Sequence, residues 1–303
     1  MSGVPAFLRL PVDKWIQAIV DWLVYEWRPA FQAMRWPIQQ VLNAITDFLL
    51  FVPFWAVVVF FAVLGWRTAG WRHGLFCAVS FLLIAAMGQW SQAMISLAIL
   101  FTAVTYCFVV GIPLGILASR SEWFWSILRP LLDGMQTTPS FVYLVPVVML
   151  FGIGTVPGVI ATIIFAMPPV IRLTNLGLRQ VSPEAIEAGE AYGATEWQSL
   201  VNIRLPLALP SIMAGLNQTL LMALVMSVVI AMIGAEGLGL TVLRGIGALD
   251  VGLAGVGGLA IVLMAISLDR IAQGLVQIAD PSSRRGKPAS LVASLKSLRP
   301  PSQ

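Results

Sequence analysis

Apolar residues along this chain fall into long blocks separated by short polar punctuation, unlike the striped faces of a soluble domain. Seven blocks read as crossings: Phe48–Trp66, Gly74–Trp90, Ile95–Ala118, Phe141–Gly152, Val156–Leu173, Ser211–Ile233 and Val251–Ile278. A bilayer core of roughly 30 Å takes about 20 apolar helical residues to cross. The fourth block is short, and its start reaches back through Thr137-Thr138-Pro139-Ser140 as a broken or re-entrant segment. Pro113, Pro146 and Pro168-Pro169 lie inside blocks and read as kinks whose freed backbone groups neighbouring helices satisfy. The pattern predicts an all-α integral membrane protein of about seven transmembrane helices.

Two regions depart from the block pattern. From Val12 to Trp27, apolar positions 12, 15, 16, 19, 20, 23 and 24 share one helical face, and Asp13, Gln17 and Asp21 run along the other. With Trp15, Trp22 and Trp27 in the stretch, it reads as an amphipathic helix lying on the outer leaflet or packed on the bundle. Residues 1–47 then form an external segment, 48–280 the membrane domain, and 281–303 a Ser-, Arg- and Lys-rich cytoplasmic tail expected to be disordered.

The second departure is residues 182–206, a polar, helix-prone stretch between the fifth and sixth blocks. Ser182 and Pro183 suit the N-cap and first turn of a helix, and Glu184 and Glu187 sit where the helix dipole favours negative charge. Ala188, Gly189, Ala191 and Ala194 keep the rod thin, and Gly193 is expected to end it in the left-handed conformation. Thr195 then caps a second short helix ending before Pro206, with Pro206 and Pro210 stopping helical continuation ahead of the sixth crossing. A slim acidic rod of this kind suits a groove on another protein.

Composition narrows the class. The chain is 58% hydrophobic and 11% charged, with mean hydropathy +0.88; soluble domains carry about 25% charged residues. The net charge of +4 is read as marking cytoplasmic loops, not a nucleic-acid partner. If residues 182–206 are cytoplasmic, Arg67, Arg72, Arg120, Arg129, Arg179, Arg204 and the basic tail share that side. The other side holds Arg244 and a charge-balanced N-terminal segment, so the N-terminus lies outside and the C-terminus inside. Cys77 and Cys107 lie within apolar runs, which argues against a disulfide or a metal site. Gly286-Lys287 precedes Pro288 and lacks the Gly-rich lead and Ser/Thr of a phosphate loop, which argues against ATP hydrolysis on this chain. His73, the single histidine, reads as structural. Tryptophans cluster at block ends as an interfacial belt, and Gly111 and Gly115 mark close helix contacts, a dimer interface being one such place. Glu236, Arg244 and Asp250 gather around the loop between the last two crossings, to pair with one another, edge a gate or contact an external protein.

Glu187-Ala188, Gly193 and the closing Ile203-Arg204-Leu205-Pro206 resemble the EAA loop of ABC-importer permeases, the helix on which an ATPase subunit pushes. The run from Leu131 to Pro139, then Phe141 to Pro146, is similar to the glycine betaine/proline permeases, as are Gly152-Ile153-Gly154, Ile212 to Thr219, Leu243 to Gly247 and Leu268-Asp269-Arg270. The likeness covers roughly residues 10–280. It implies a type I ABC importer permease fold in a bacterial inner membrane: two permease copies, two cytoplasmic ATPase subunits using ATP and Mg, and an external substrate-binding protein. No cofactor is expected on this chain. The substrate would be a compact zwitterion or cation such as glycine betaine, proline betaine, choline or trimethylamine N-oxide. Coupling to the ATPase would fall to Glu184, Glu187, Ala188, Gly189, Ala191, Gly193, Ala194, Ile203, Leu205 and Pro206, and the path or gate to Thr137, Thr138, Pro139, Tyr143, Asn217 and Met222. Glu236, Arg244 and Asp250 would face the binding protein. One departure stands out, since the third residue of the EAA triplet is Gly189. Two alternatives are a permease of the same architecture for another solute, such as an amino acid, and an ion-gradient transporter. The latter predicts inverted repeats and mid-span carboxylates, and neither is evident.

Overall fold

The computed structural model describes residues 12–279, and among them every regular element is a helix. The tail beyond Ala279 lies outside the described residues. Helix α1 (Val12–Phe51) is 40 residues long and carries Pro29 and Pro37 within it. It stops at Val52-Pro53, where proline supplies no N–H and forces the preceding residue out of the helical region. Helix α2 (Phe54–Ala69) leaves at 103°. Helix α2 therefore begins at Phe54, and residues 48–51 end α1 instead. The amphipathic stretch is thus the free end of a rod whose other end is packed: Trp15, Ile19 and Trp22 are exposed, whereas Ile38, Leu42 and Leu49 are buried.

Gly70, at φ 93°, turns the chain into α3 (Trp71–Ala86), which packs tightly on α2. Phe61 stacks on Phe81 with centroids 4.5 Å apart, and a Cβ at Gly74 would strike the Ala62 carbonyl and Trp66. His73 reaches back to the Ala69 carbonyl through Nδ1, the structural role expected of it. The second block ends near Met87-Gly88 and not at Trp90, which instead opens α4 (Trp90–Arg120). Helices α5 (Glu122–Thr137) and α6 (Leu144–Phe151) meet at 107° across Thr138-Pro139 and a 3-10 turn, the broken crossing that the sequence predicted.

Helix α7 (Thr155–Arg179) is the centre of the bundle, flanked by α4 and by α10 (Leu205–Val229). Small residues let the backbones close up: Val170 and Thr174 of α7 sit over Gly111 and Gly115 of α4, and Ser211 of α10 sits over Gly177. Gly111 and Gly115 thus serve contacts within the chain. Between α7 and α10 run α8 (Pro183–Ala191) and α9 (Glu196–Ser199), and the chain closes with α11 (Leu238–Gly247) and α12 (Val251–Ala279).

Four helical stretches among the described residues are long and apolar enough to cross a membrane, and six if each bent pair counts as one. The region read as a loop between the last two crossings contains α11, whose N-terminal end is folded back into the bundle. Leu238 is fully buried there. The N–H groups of Gly237 and Leu238 donate to Gln92 Oε1 at 3.0 Å and Ser96 Oγ at 2.8 Å, so α4 caps this buried end.

Candidate functional site

The polar segment between α7 and α10 starts from a fixed anchor. Arg179, in the last turn of α7, donates to Asn175 Oδ1 at 2.7 Å and to the Ala118 carbonyl at 2.8 Å, and pairs with Glu122 at the start of α5. One guanidinium thereby ties together the ends of α4, α5 and α7, using the fork geometry that lysine lacks. Arg172 pairs with Asp133 one level further in and joins α7 to α5 again.

From that anchor the chain builds a hairpin. Ser182 Oγ accepts from Ala185 N, and Pro183 occupies the first helical turn. Helix α8 ends as the sequence predicted, with Gly193 at φ 81°. Gly193 N donates to the Glu190 carbonyl and Ala194 N to the Gly189 carbonyl, the paired bonds of a Schellman turn. Thr195 and Gln198 then form a reciprocal capping box for α9.

The expected stop at Pro206 is absent. Residues 200–204 form a π turn closed by Leu205 N onto the Leu200 carbonyl, and the helix runs unbroken from Glu196 to Ile233. A wider turn shifts the carbonyl that the Pro206 ring would otherwise crowd, so proline is accommodated without a break. The hairpin is therefore continuous with a crossing helix.

Its two sides differ. Glu184, Glu187, Ala188, Glu190, Ala191, Gly193 and Glu196 are exposed, with Tyr192 95% and Trp197 68% exposed beside them. None of these four glutamates is in an ion pair among the described residues. Ile203 and Leu205 point the other way: Ile203 lies over Gly189, where a Cβ would overlap its Cδ1, and Leu205 packs on Leu178, Leu200, Ala208 and Ile212. The glycine in the triplet is thus the floor on which the second strut of the hairpin rests. Ala194 is partly buried and Pro206 exposed. Tyr192 and Trp197 escaped the sequence reading, although large aromatics in a polar loop are themselves a signal.

The other candidate residues separate into distinct places. Thr137, Thr138, Pro139 and Tyr143 lie together at the α5–α6 bend, where Thr138 Oγ1 donates to the Gly134 carbonyl at 2.8 Å and Tyr143 OH to the Met135 carbonyl. Gln136 Nε2 approaches Met222 Sδ of α10 at 3.9 Å. Asn217 is not with them; it faces α12, its Nδ2 3.4 Å from Asp269 Oδ1, while Gln273 holds the other carboxylate oxygen at 2.7 Å. Glu236, Arg244 and Asp250 are exposed at the bundle end opposite α8 and form no pair with one another. Asp250 instead caps α12 through the Leu253 N–H.

A multi-helix apolar bundle with one ordered polar hairpin, rooted in two crossings, is the framework of a membrane transport subunit. The comparisons make the class specific: this chain belongs to the binding-protein-dependent transport system inner membrane components, whose family pattern matches residues 111–285. It is 52% identical over 266 residues to the glycine betaine/proline betaine transport system permease protein ProW of Escherichia coli (strain K12), covering 88% of this chain and 75% of that one. It is 43% identical over 267 residues to the glycine betaine transport system permease protein OpuAB of Bacillus subtilis (strain 168), covering 88% and 95%. Among solved structures, a chain of the MetNI methionine ABC transporter in its inward facing conformations superposes with a TM-score of 0.56 at 21% identity, over 61% of this chain and 93% of that one. That likeness concerns the fold.

Proposed function

We propose that this multi-pass membrane protein forms the translocation pathway of an ATP-driven importer for a compact quaternary or zwitterionic amine of the glycine betaine and proline betaine type. The observation that carries the transport half is the ordered acidic hairpin continuous with α10. The relatives named for glycine betaine support the substrate class.

In this reading the α8 end of the bundle is cytoplasmic. Arg67, Arg72, Arg120 and Arg179 lie in the first or last turns of α2, α3, α4 and α7 there, with Arg204 in the π turn and Arg129 midway along α5, in accord with the bias of positive charge toward the cytoplasm. The N-terminus then lies outside and the C-terminus inside. Two copies of the chain pair with two ATPase subunits, which bind ATP and Mg, and with an external substrate-binding protein.

Closure of the ATPase pair moves α8, and the unbroken helix from Glu196 to Ile233 carries the motion inward without a flexible joint. Each partner shifts the balance only by binding one conformation better than the other. The bend at Thr137–Tyr143 with Met222 forms the gate, and Glu236 and Arg244 meet the binding protein at the far end. The hairpin docks through Glu184, Glu187, Ala188, Ala191 and Gly193, with Tyr192 and Trp197 as aromatic anchors.

The test is uptake of labelled glycine betaine into vesicles holding the full assembly, with the binding protein supplied on the substrate side. Uptake must require ATP and the ATPase subunit and survive collapse of ion gradients. Uptake driven by a gradient without the ATPase would overturn the reading.

A further inference from the structure

Beside the hairpin and the gate, the molecule has a large apolar groove of about 600 Å³ between α1, α4, α6 and α7. Phe31 and Ile38 of α1 form one wall, Tyr106 of α4 another, and Ile163 and Met167 of α7 the floor, with Phe151 at the end of α6. The hydroxyl of Tyr143, which also lines it, is already engaged by the Met135 carbonyl. Walls of this kind offer almost no polar partner to the carboxylate of a zwitterionic solute and suit an acyl chain better.

Arg35 lies between two lining residues, Met34 and Pro37, and reaches a third: its Nη1 donates to the Phe151 carbonyl at 3.2 Å. Its Nε–H is shielded from solvent and has no partner, and among the described residues no carboxylate pairs with it. A guanidinium that uses one donor on the end of a helix and keeps another idle is incompletely satisfied for a site in a membrane protein. Along α7 the lining runs from Ile160 to Met167, about 10 Å of helix, inward from the end that carries Phe151. Half of a hydrocarbon core is about 15 Å deep. The groove thus spans most of one leaflet, with the cation at its outer end.

We propose that this groove is a phospholipid site, holding one acyl chain against α4, α6 and α7 with the lipid phosphate on Arg35. The guanidinium fork matches phosphate oxygens, and the Phe151 carbonyl fixes the fork's orientation. Membership of the membrane family suffices for the argument, which is independent of the solute carried. Because α6 leads directly into the bend at Thr137–Tyr143, the lipid would brace the element that adjoins the proposed gate.

The test counts phospholipid retained by the full transporter assembly after exhaustive detergent exchange. Wild type keeps a tightly held phospholipid. Ile164→Trp, which fills the groove, and Arg35→Gln, which removes the phosphate contact, each lower retention by about one molecule per chain. Retention equal to wild type in both variants overturns the proposal, as does loss of permease pairing in Ile164→Trp with lipid unchanged, which would assign the groove to a second copy. Should a variant fail to assemble, the wild-type protein decides the matter. A phospholipid with a photoreactive acyl chain must label residues 143–151 or 160–167, and excess phosphatidylglycerol must suppress that labelling. Labelling elsewhere only, or suppression by a fatty acid as strong as by phosphatidylglycerol, overturns it.

Discussion

Gly193 shows how much a single backbone angle carries. At φ 81° it stands where an L side chain is strained by about 1–2 kcal/mol, and no neighbour lies within reach of a Cβ, so the requirement is conformational and not steric. Gly193→Val is expected to insert normally yet lose more than tenfold in ATP-dependent uptake, because the hairpin turn is displaced; unchanged uptake per inserted molecule would contradict the assignment. Leu249 presents the reverse case. It holds φ 53° in the turn before α12 with its side chain 90% exposed. Leu249→Gly relieves that strain and should leave thermal stability unchanged or raise it by about 1 kcal/mol, readable in a denaturation midpoint in detergent. The caps at Ser182, Gly193 and Thr195 were legible because each depends on a few adjacent residues. The role of Gly189 was not, since its neighbour Ile203 is brought over it only when the hairpin closes.

Among the elements, the α8–α9 hairpin presents aromatic side chains set in a field of unpaired carboxylates. Interfaces draw most of their energy from such buried aromatics, whereas rim charges contribute little and are screened by salt. Tyr192→Ala and Trp197→Ala should therefore each weaken association with the ATPase subunit by about tenfold, roughly 1.4 kcal/mol. Glu187→Ala should cost less, about 0–1 kcal/mol, and only at low ionic strength. Co-purification across a salt series separates the two effects; an equal, salt-independent loss in all three variants would refute this division. Long apolar blocks made α4, α7, α10 and α12 readable, as length and hydropathy alone define them. Helix α11 was hidden because its ten residues carry three glycines and its burial rests on Gln92 and Ser96, some 140 positions away. The boundaries at Phe54 and Trp90 were missed for a related reason: apolar residues continue through Pro53 and Gly88, so hydropathy stays high where the backbone turns.

For the whole molecule, sidedness is the claim on which the proposed coupling depends. The two ends of the bundle are chemically distinct: α8 and the ends of α4 and α7 define one, and the turn between α11 and α12 defines the other. Both native cysteines are buried in the bundle, so the chain offers a quiet background for thiol labelling. Tyr192→Cys and Ala248→Cys place single exposed thiols at the two ends. If the hairpin is cytoplasmic, a membrane-impermeant maleimide applied to whole spheroplasts labels Ala248→Cys and spares Tyr192→Cys, and in inverted vesicles the pattern reverses. Addition of the ATPase subunit to inverted vesicles should then shield position 192 and leave position 248 untouched. Labelling of Tyr192→Cys from outside would leave the acidic hairpin on the wrong face for any ATP-binding partner. In that event the positive charge at the α8 end would also run against the rule that orients multi-pass proteins, and both the topology and the coupling scheme would have to be inverted together.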